Sequence, residues 1–227
     1  NNLNIINKYK RASIAIGNFD GLHRGHQKVF TYAKKLAKKN KTKFGILTFT
    51  PLPIMFFNKK ITNHKLVSEN QKLKLFKEYG ADFVINIKFN KRFSRIKAEK
   101  FISNVIYKKI NPKLIFVSNN FKFGNKRKGD VNLLKKFSKK YNYKLIKVSP
   151  LKYKGKIISS TRIRKCLQNG FIKEANLLLS KTWFVDGRVV RGKKLGRKLG
   201  YRTCNINIKN FVLPKFGIYA VKISIGK

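Results

Sequence analysis

Short hydrophobic runs recur along residues 1–150, and amphipathic stretches separate them. The hydrophobic runs predict strands, and these lie at 12–16, 44–49, 83–89, 114–117 and 143–148. The amphipathic stretches predict helices at 27–38, 69–79, 98–110 and 131–141. Strands and helices alternate in this way when helices cover both faces of a parallel sheet. The pattern therefore predicts a doubly wound parallel α/β sheet, which binds ligands at the carboxyl ends of its strands.

Capping signals support these helix limits. Ser68 and Gln71 have the spacing of a capping box, and Gly80 stands where the second predicted helix ends. Asp130 is a typical residue for the start of the fourth helix.

The pattern changes after Ser159. Two short helices are predicted at 159–167 and 172–179. From Trp183 onward, glycines recur every few residues between short β-prone runs, which is typical of a small β-barrel.

This change predicts two domains, an α/β domain at 1–180 and the N-terminal part of a β-barrel domain at 181–227. The chain begins with Asn1 rather than Met and stops within a strand-like run at 219–225. We therefore expect that both ends are cut from a longer protein and that the barrel is incomplete.

The formal net charge is +47, from 55 Lys and Arg against 8 Asp and Glu. Such a charge suits a basic nucleic-acid-binding module, which is one interpretation. Lysine, however, is spread along the whole chain rather than gathered into the local patch that a nucleic-acid binder needs. A general lysine-rich composition is therefore the favoured interpretation, with nonspecific polyanion binding at low salt and no specific nucleic-acid partner.

Few residue types are available for metal or carboxylate chemistry. The 8 acidic residues are scattered, so a paired-carboxylate hydrolase or an all-carboxylate metal cage is disfavoured. Cys166 and Cys204 lack the spacing of a zinc site or a disulfide framework. No signal-peptide pattern is present, and the apolar stretch 44–57 is too short and too interrupted to span a bilayer. We expect a cytoplasmic protein with no membrane partner, and the sequence leaves its oligomeric state open.

The strongest chemical motif follows the first predicted strand and opens the first helix. Its residues are Gly17, Asn18, Phe19, Asp20, Gly21, Leu22, His23, Arg24, Gly25 and His26. A glycine-rich turn from strand to helix is where backbone N–H groups and the helix dipole bind phosphate. His23 and His26 lie three residues apart and face the same side, although two capping histidines without a ligand are the alternative. The remaining histidine, His64, is expected in a surface loop.

A second motif begins the helix predicted at 159–167. Ser159, Ser160 and Thr161 are consecutive hydroxyl residues, which can simply cap that helix. Arg164 lies one turn further along and is expected to reach back as a forked phosphate clamp. Together with the histidine motif, these residues predict the second wall of one triphosphate site.

These two motifs resemble those of the nucleotidylyltransferase superfamily, and residues 16–26 are similar in particular to bacterial bifunctional riboflavin kinase/FAD synthetases. Further similarities follow in order at 48–57, 119–124 and 188–200. The chain departs from the family pattern at Leu52, Ser118, Arg202 and Cys204, where the family usually has His, Gly, Pro and Ala. The last two departures put the geometry of the kinase turn in doubt.

The resemblance implies a nucleotidylyltransferase-type fold and a reaction in which ATP and FMN give FAD and pyrophosphate. It implies that His23, His26 and Arg164 are catalytic, and that the other ATP-binding residues are Gly17, Asn18, Phe19, Asp20, Gly21, Ser159, Ser160 and Thr161. Mg²⁺ is expected to bind mainly through phosphate oxygens.

The resemblance also implies residues for flavin binding and for a second activity. Phe57 and Phe123 are expected to stack on the flavin and Asn120 to hydrogen-bond it, with ordinary core aromatics as the alternative. Riboflavin phosphorylation is expected of the intact protein only, with Gly192, Thr203 and Asn205 meeting ATP and Mg²⁺. A nucleotidylyltransferase with another acceptor is an alternative, disfavoured by the predicted barrel.

Overall fold

The computed structural model describes residues 7–192, 196, 200–201 and 203–225. A five-stranded parallel sheet in the order β3-β2-β1-β4-β5 forms its centre. The strands are β1 (Ser13–Ile16), β2 (Phe44–Thr50), β3 (Phe83–Lys88), β4 (Leu114–Ser118) and β5 (Lys144–Val148). The predicted doubly wound α/β fold is therefore confirmed, with each strand within a residue or two of its predicted limits.

Helices connect these strands, and further short elements follow them. The helices are α1 (Arg24–Lys39), α2 (Pro53–Phe57), α3 (Glu69–Glu78), α4 (Lys91–Ser94), α5 (Ala98–Lys100), α6 (Val131–Ser138), α7 (Ser160–Gln168) and α8 (Ile172–Leu179). Two hairpin strands, β6 (Lys152–Tyr153) and β7 (Lys156–Ile157), lie between β5 and α7. Short 3₁₀ turns occupy Asn7–Tyr9, Asp20–Leu22 and Asn125–Arg127.

Two of the capping predictions are confirmed by side-chain hydrogen bonds. The Ser68 side chain accepts from the backbone N–H of Gln71, and the Gln71 side chain accepts from the backbone N–H of Ser68. Asp130 accepts from the backbone N–H of Leu133 at 3.0 Å. The sequence therefore set the starts of α3 and α6 correctly.

The single helix predicted at 98–110 is wrong in detail. Only Ala98–Lys100 is an α-helix, and Phe101–Ile110 continues as a π-helix. A π-helix differs by only one residue in its hydrogen-bond spacing, so the hydrophobic period of so short a stretch does not separate the two. The buried side chains of both segments nevertheless face the sheet as one apolar stripe.

Alternate residues of each central strand face opposite sides of the sheet. Ile14 and Ile115 belong to the hydrophobic cluster on one face, whereas Ala15 and Phe116 belong to the cluster on the other. All four residues of β1 are buried, as a strand covered on both faces requires. A third cluster forms between α7, α8 and neighbouring loops, and it includes Val212.

Residues after 180 form little regular structure among those described. Strands β8 (Val189–Val190) and β9 (Asn205–Ile206) pair antiparallel. The strand predicted at 219–225 is wrong for these residues, which have no strand assignment and whose apolar side chains are largely exposed. Parts of the glycine-rich stretch 188–200, at 193–195 and 197–199, and the departure at Arg202 lie outside the described residues.

Candidate functional site

The glycine-rich turn leaves the carboxyl end of β1 in a conformation that only a few residue types adopt easily. Gly21 has a φ of +79°, and a Cβ there would stand 2.7 Å from Cδ1 of Leu66. Phe19 also has a positive φ, of 49°, and its ring is buried among aromatic core residues that include Phe30 and Phe76. Phe19 therefore stays a predicted ATP-binding residue through its backbone, because its ring lies in the core.

Gly17 and Asn18 fix the beginning of this turn against β2. The backbone N–H of Gly17 donates to Leu47 O at 3.1 Å, and Thr48 Oγ1 donates to Asn18 O at 3.2 Å. The Asn18 side chain is exposed at the edge of the sheet. The turn is thus anchored through its backbone and leaves polar groups open at the strand ends.

His23 and His26 form a stacked pair at the start of α1. Their ring centroids are 3.6 Å apart and their planes differ by 20°. Nδ1 of His23 accepts the backbone N–H of His26 at 3.3 Å, so the neutral ring carries its hydrogen on Nε2. Nδ1 of His26 is buried and has no hydrogen-bond partner among the described residues.

Both histidines are held in the neutral form. Burial, together with the positive charges of Arg164 and Lys181, lowers the pKa of His23 to about 4. Burial also holds the pKa of His26 well below its usual range, with His23 and Lys181 adding to the effect. Each ring can therefore donate one hydrogen bond at neutral pH without carrying a charge.

The second motif packs directly against the first. Ser159 caps α7 by accepting the backbone N–H of Arg162 at 3.2 Å. Ser160 Oγ donates to the backbone oxygen of Asp20 at 2.9 Å, and Thr161 is exposed at the same helix start. The structure thus brings the two predicted walls together at the carboxyl edge of the sheet.

Arg164 is not a free clamp in this structure. Its Nη2 is paired with the Asp20 carboxylate, and its Nε donates to His64 O at 2.6 Å. Asp20 also accepts the backbone N–H of Leu66 with both carboxylate oxygens, at 3.1 and 3.2 Å. The pair is almost fully buried, and burial raises the pKa of Asp20 while the Arg164 charge opposes that rise. Asp20 and Arg164 were both predicted to contact ATP. In this structure their side chains bind each other and so join the two motifs.

Two further residues belong to this region and were missed by sequence analysis. Arg162 pairs with Glu174 at 2.6 Å and donates to Tyr153 O and Lys156 O, which fixes the β6–β7 hairpin to α7. Lys181 has a buried Nζ with no partner among the described residues, and burial lowers its pKa to about 8. No local motif marks Lys181, because its surroundings come from other parts of the chain.

Gln27 explains how Lys181 comes near the histidines. The Gln27 side chain donates to Leu22 O and Leu179 O at 2.9 Å and accepts from Ser180 Oγ at 2.8 Å. It therefore joins the first turn of α1 to the end of α8, immediately before Lys181. An unpaired cation thus lies in the electrostatic range of both rings.

The predicted flavin residues fall into different environments. Phe57 is 66% exposed at the end of α2, where it packs edge-to-face on Phe56 and Phe89 with centroids 5.3 and 5.7 Å away. Phe123 is only 7% exposed and belongs to the core. The role of Phe123 against the flavin therefore stays a prediction, and its ring packs in the core in this structure. Its neighbour Phe121, stacked on it with ring centroids 5.5 Å apart, is the more accessible of the two rings.

Asn120 lies in an exposed loop after β4. Its Oδ1 is 2.9 Å from Ser118 Oγ, which donates to it, and the amide nitrogen is left for another acceptor. Leu52, one of the departures from the family pattern, is buried before α2. The departure at Leu52 thus replaces a polar side chain by one that fills the core.

The predicted kinase residues come together in the small β8–β9 unit. A Cβ at Gly192 would stand 2.2 Å from the side-chain nitrogen of Asn205, so these two residues are in close contact. Thr203 is exposed beside them. Within the described part of the chain, no group of three His, Cys, Asp or Glu side chains is placed to hold a metal ion.

A doubly wound parallel sheet whose carboxyl edge joins a His-x-Gly-His turn to a hydroxyl-rich helix start defines an α/β protein of the nucleotidyltransferase type. The FAD synthetase family model matches residues 5–162, and the riboflavin kinase model matches residues 179–227. The chain belongs to the family of bifunctional riboflavin kinase/FMN adenylyltransferases.

Individual relatives agree with this assignment. The bifunctional riboflavin kinase/FMN adenylyltransferase of Buchnera aphidicola (from Schizaphis graminum) is 44% identical over 98% of this chain and 71% of its own length. The protein of that name from Escherichia coli K12 is 33% identical over 92% of this chain and 67% of its own.

A solved structure from Streptococcus pneumoniae, described as a macrolide-efflux protein, has the same fold. It is 29% identical, covers 91% of this chain and 67% of its own, and superposes with a TM-score of 0.77. Over the residues that the structure describes, none of the helices has the length and apolar character needed to cross a membrane.

Proposed function

We propose that this chain transfers AMP from ATP to FMN, giving FAD and pyrophosphate. The observation that carries the proposal is the meeting of two phosphate-binding elements at one sheet edge. The stacked neutral histidines start α1, and the Ser159–Thr161 hydroxyls start α7, joined through Ser160 and the Asp20 backbone. Helix starts of this kind favour the oxygens of a polyphosphate.

The histidines are proposed to bind ATP as neutral donors. The Nε2 hydrogen of His23 is fixed by the bond that its Nδ1 accepts, and it is free for an oxygen of the triphosphate. His26 is proposed to donate in the same way, to the oxygen on which charge develops as pyrophosphate leaves. Because neither ring is protonated near neutral pH, neither supplies a proton to the leaving group.

The chemical step needs no base from the protein. An FMN phosphate oxygen attacks the α-phosphorus of ATP, one P–O bond forms, and the bond to the β-phosphate breaks. The nucleophile is already an anion, so catalysis consists of positioning and of stabilising charge on pyrophosphate. Gly17, Asn18 and Gly21 would shape the cradle, while Ser159, Ser160 and Thr161 would hold the β- and γ-phosphates.

Mg²⁺ is proposed to enter with ATP rather than to reside in a protein cage. Asp20 is the carboxylate nearest the motifs, and its oxygens are already used by Arg164 and the Leu66 N–H. The ion would therefore be held by phosphate oxygens and water, and it would neutralise part of the phosphate charge.

The exposed aromatic group at Phe57 is proposed to receive the isoalloxazine ring, since a partly exposed phenyl ring offers a stacking face. Phe121 and the amide of Asn120 would lie on the β4 side. In the intact protein, Gly192, Thr203 and Asn205 are proposed to serve the phosphorylation of riboflavin to FMN. Both reactions are proposed to take place in the cytoplasm, without a specific nucleic-acid partner.

The test is conversion of FMN to FAD by the 227-residue chain with ATP and Mg²⁺, followed by chromatographic separation of the flavins. We expect His26→Ala to lower the rate by about 10²–10³-fold, because one preorganised donor is lost. His64→Ala is the matched control, since the hydrogen bonds that His64 makes with Arg164 and Asn210 come from its backbone. No FAD from the unaltered chain, or an equally active His26→Ala variant that remains folded, would reject this assignment.

A further inference from the structure

A short stretch of the riboflavin kinase match lies along a loop of the adenylyl site. The backbone N–H groups of His64 and Lys65 donate to Asn210 O at 3.0 and 2.7 Å, and the Val212 N–H donates to Lys65 O at 2.8 Å. The Asn210 N–H donates to the Asn63 side chain at 3.2 Å. The stretch 210–212 is thus bonded to the loop 63–66 in the manner of a short parallel bridge.

The same stretch contributes buried side chains to the core beneath α7. Val212 is fully buried in the third hydrophobic cluster, together with Leu66, Ile163 and Leu167. A backbone hydrogen bond from Lys215 to Leu167 O, at 3.0 Å, continues the contact to the end of α7. Residues beyond the predicted boundary at Lys181 are therefore part of the packing that supports the hydroxyl motif.

The opposite edge of the loop holds the Asp20–Arg164 pair. Leu66 N–H is the donor to both carboxylate oxygens of Asp20, and His64 O is the acceptor for Arg164 Nε. Leu66 also lies under Gly21, where its Cδ1 would contact any added Cβ. If the loop moved, Asp20 would lose its backbone donor and Arg164 one of its two acceptors.

We propose that the stretch 210–212 is a positioning element of the adenylyl site. It fixes the loop 63–66, and through that loop it fixes the buried pair that joins the histidine turn to α7. A binding site keeps its geometry only when the groups behind it are themselves held. The proposal rests on the proposed function in taking ATP as the ligand, and it makes the kinase part of the chain a determinant of ATP affinity.

This arrangement has a reciprocal consequence. If contact with 210–212 strengthens ATP binding, bound ATP must strengthen that contact by the same factor. The amide hydrogens of Lys65 and Val212, which bridge the two segments, should then exchange more slowly when ATP is present.

The test compares ATP dissociation constants by calorimetry, and amide exchange with and without ATP, in the 227-residue chain. Val212→Ala opens the packing beneath α7 and should weaken ATP binding by about fivefold. Asn63→Ala removes only the exposed side-chain bond to Asn210 and should weaken it by about twofold. Val190→Ala, on β8 in the same part of the chain, is the control and should leave the ATP affinity unchanged.

The outcomes separate the alternatives. Variants that lower the thermal midpoint but keep the ATP affinity, with Lys65 and Val212 exchange insensitive to ATP, would reduce the stretch to a packing contact and overturn the proposal. If Val212→Ala does not fold, the ATP affinity of Asn63→Ala and the amide-exchange data test the proposal, since replacing the exposed Asn63 should leave the chain folded. If the unaltered chain binds ATP but makes no FAD from FMN, the proposed function fails while the positioning role is still measured.

Discussion

The stacked histidine pair is unusual in being buried and polar at the same time. His23 is 5% exposed, and its pKa of about 4 lies below the ordinary value of 6.5. Such a pair stays uncharged over the range in which ATP is fully ionised. The two rings can therefore bind phosphate oxygens through hydrogen bonds without a change of protonation between pH 6.5 and 8.

The depressed pKa of His23 predicts a loss of stability in mild acid. The unfolded chain takes up the proton near pH 6.5 and the folded chain only near pH 4. Between these pH values protonation therefore favours the unfolded state. Protonation of His23 alone should lower the free energy of unfolding by on the order of 3 kcal/mol over this interval, and His26, whose pKa is also lowered, should add to the fall. Denaturant titrations at stepped pH would measure the fall, and His23→Gln should remove the part of it that His23 contributes.

His64→Gln provides the comparison for that experiment. Burial also lowers the pKa of His64 to about 4, but this residue is far more exposed than His23. Because water screens a partly exposed group, the replacement of His64 should change the profile less than that of His23. An equal effect of the two variants would contradict the assignment of the acid sensitivity to the motif.

Lys181 predicts a second rise of stability with pH, on the alkaline side. Burial lowers its pKa to about 8, so above that value the folded chain gives up a proton that the unfolded chain keeps. This group therefore adds stability as the pH rises from about 8 towards its ordinary pKa. Lys181→Met should remove that rise and be more stable than the unaltered chain at pH 7, because no buried charge remains.

The exposed Lys35 supplies the control for this comparison. Lys35→Met changes the net charge equally but lies on the outer side of α1. Subtracting its pH profile from that of Lys181→Met removes the general effect of one charge fewer. If the pH profiles of the two variants coincided, burial of the Lys181 ammonium would have no effect on the free energy of unfolding.

At the residue scale, the sequence predicted motifs whose residues are neighbours along the chain. It missed contacts between residues that are far apart in the sequence. His23, His26 and the Ser159–Thr161 run were found because each motif lies within a few neighbouring positions. The partners of Arg164 come from residues 20 and 64, and the surroundings of Lys181 from α1 and α8, so no local pattern reveals them. The different exposures of Phe57 and Phe123 could not be predicted, because aromatic character alone does not separate a core ring from an exposed one.

The turn between β1 and α1 is the element on which the site depends most. Gly21 combines a positive φ with a close approach to Leu66 Cδ1 and Leu179 Cδ2, at 2.7 and 3.3 Å from an ideal Cβ. Gly21→Ala should therefore destabilise the fold by about 1–3 kcal/mol, through overpacking added to backbone strain. Thermal unfolding and FAD formation should both be impaired.

Gly155→Ala separates strain from packing. Gly155, in the β6–β7 hairpin, has a φ of +72° but no atom within 4 Å of an added Cβ. Gly155→Ala should lower the free energy of unfolding only through the strain of the positive φ, by about 1 kcal/mol, and leave FAD formation unchanged. If the two variants lost equal stability, the contact of Gly21 with Leu66 would not matter.

At the element scale, the sheet was predictable and its surroundings less so. The central strands are buried on both faces and therefore appear as hydrophobic runs, as at 114–117 in β4, where all four residues are apolar and buried. Two helix starts were marked by Ser68 and Asp130, whose side chains cap locally. The strand at 219–225 was predicted from β-prone residues alone, whereas a strand also needs a neighbour to pair with, and the described residues give it none.

At the scale of the whole molecule, the most prominent property is the excess of positive charge. The chain has 55 basic and 8 acidic residues, so ion pairing cannot offset most of its positive charge. The lysines of α1 and α6 lie on exposed helix faces rather than around the phosphate-binding turn. We therefore expect the excess charge to act as a diffuse field on polyanions rather than as a specific binding site.

This field predicts nonspecific and strongly salt-dependent binding to DNA. Random duplex DNA should bind at low salt because lysine contacts release condensed counterions. Its affinity should fall by about 10³-fold or more between roughly 50 and 200 mM salt. Fluorescence anisotropy with two duplexes of unrelated sequence would measure this, and the two should give the same dissociation constant at each salt concentration. ATP binding should weaken far less over the same range, because hydrogen bonds from neutral histidines and helix-start N–H groups are proposed to contribute to it. A tight complex that persists at physiological salt with one duplex only would instead identify a built nucleic-acid site.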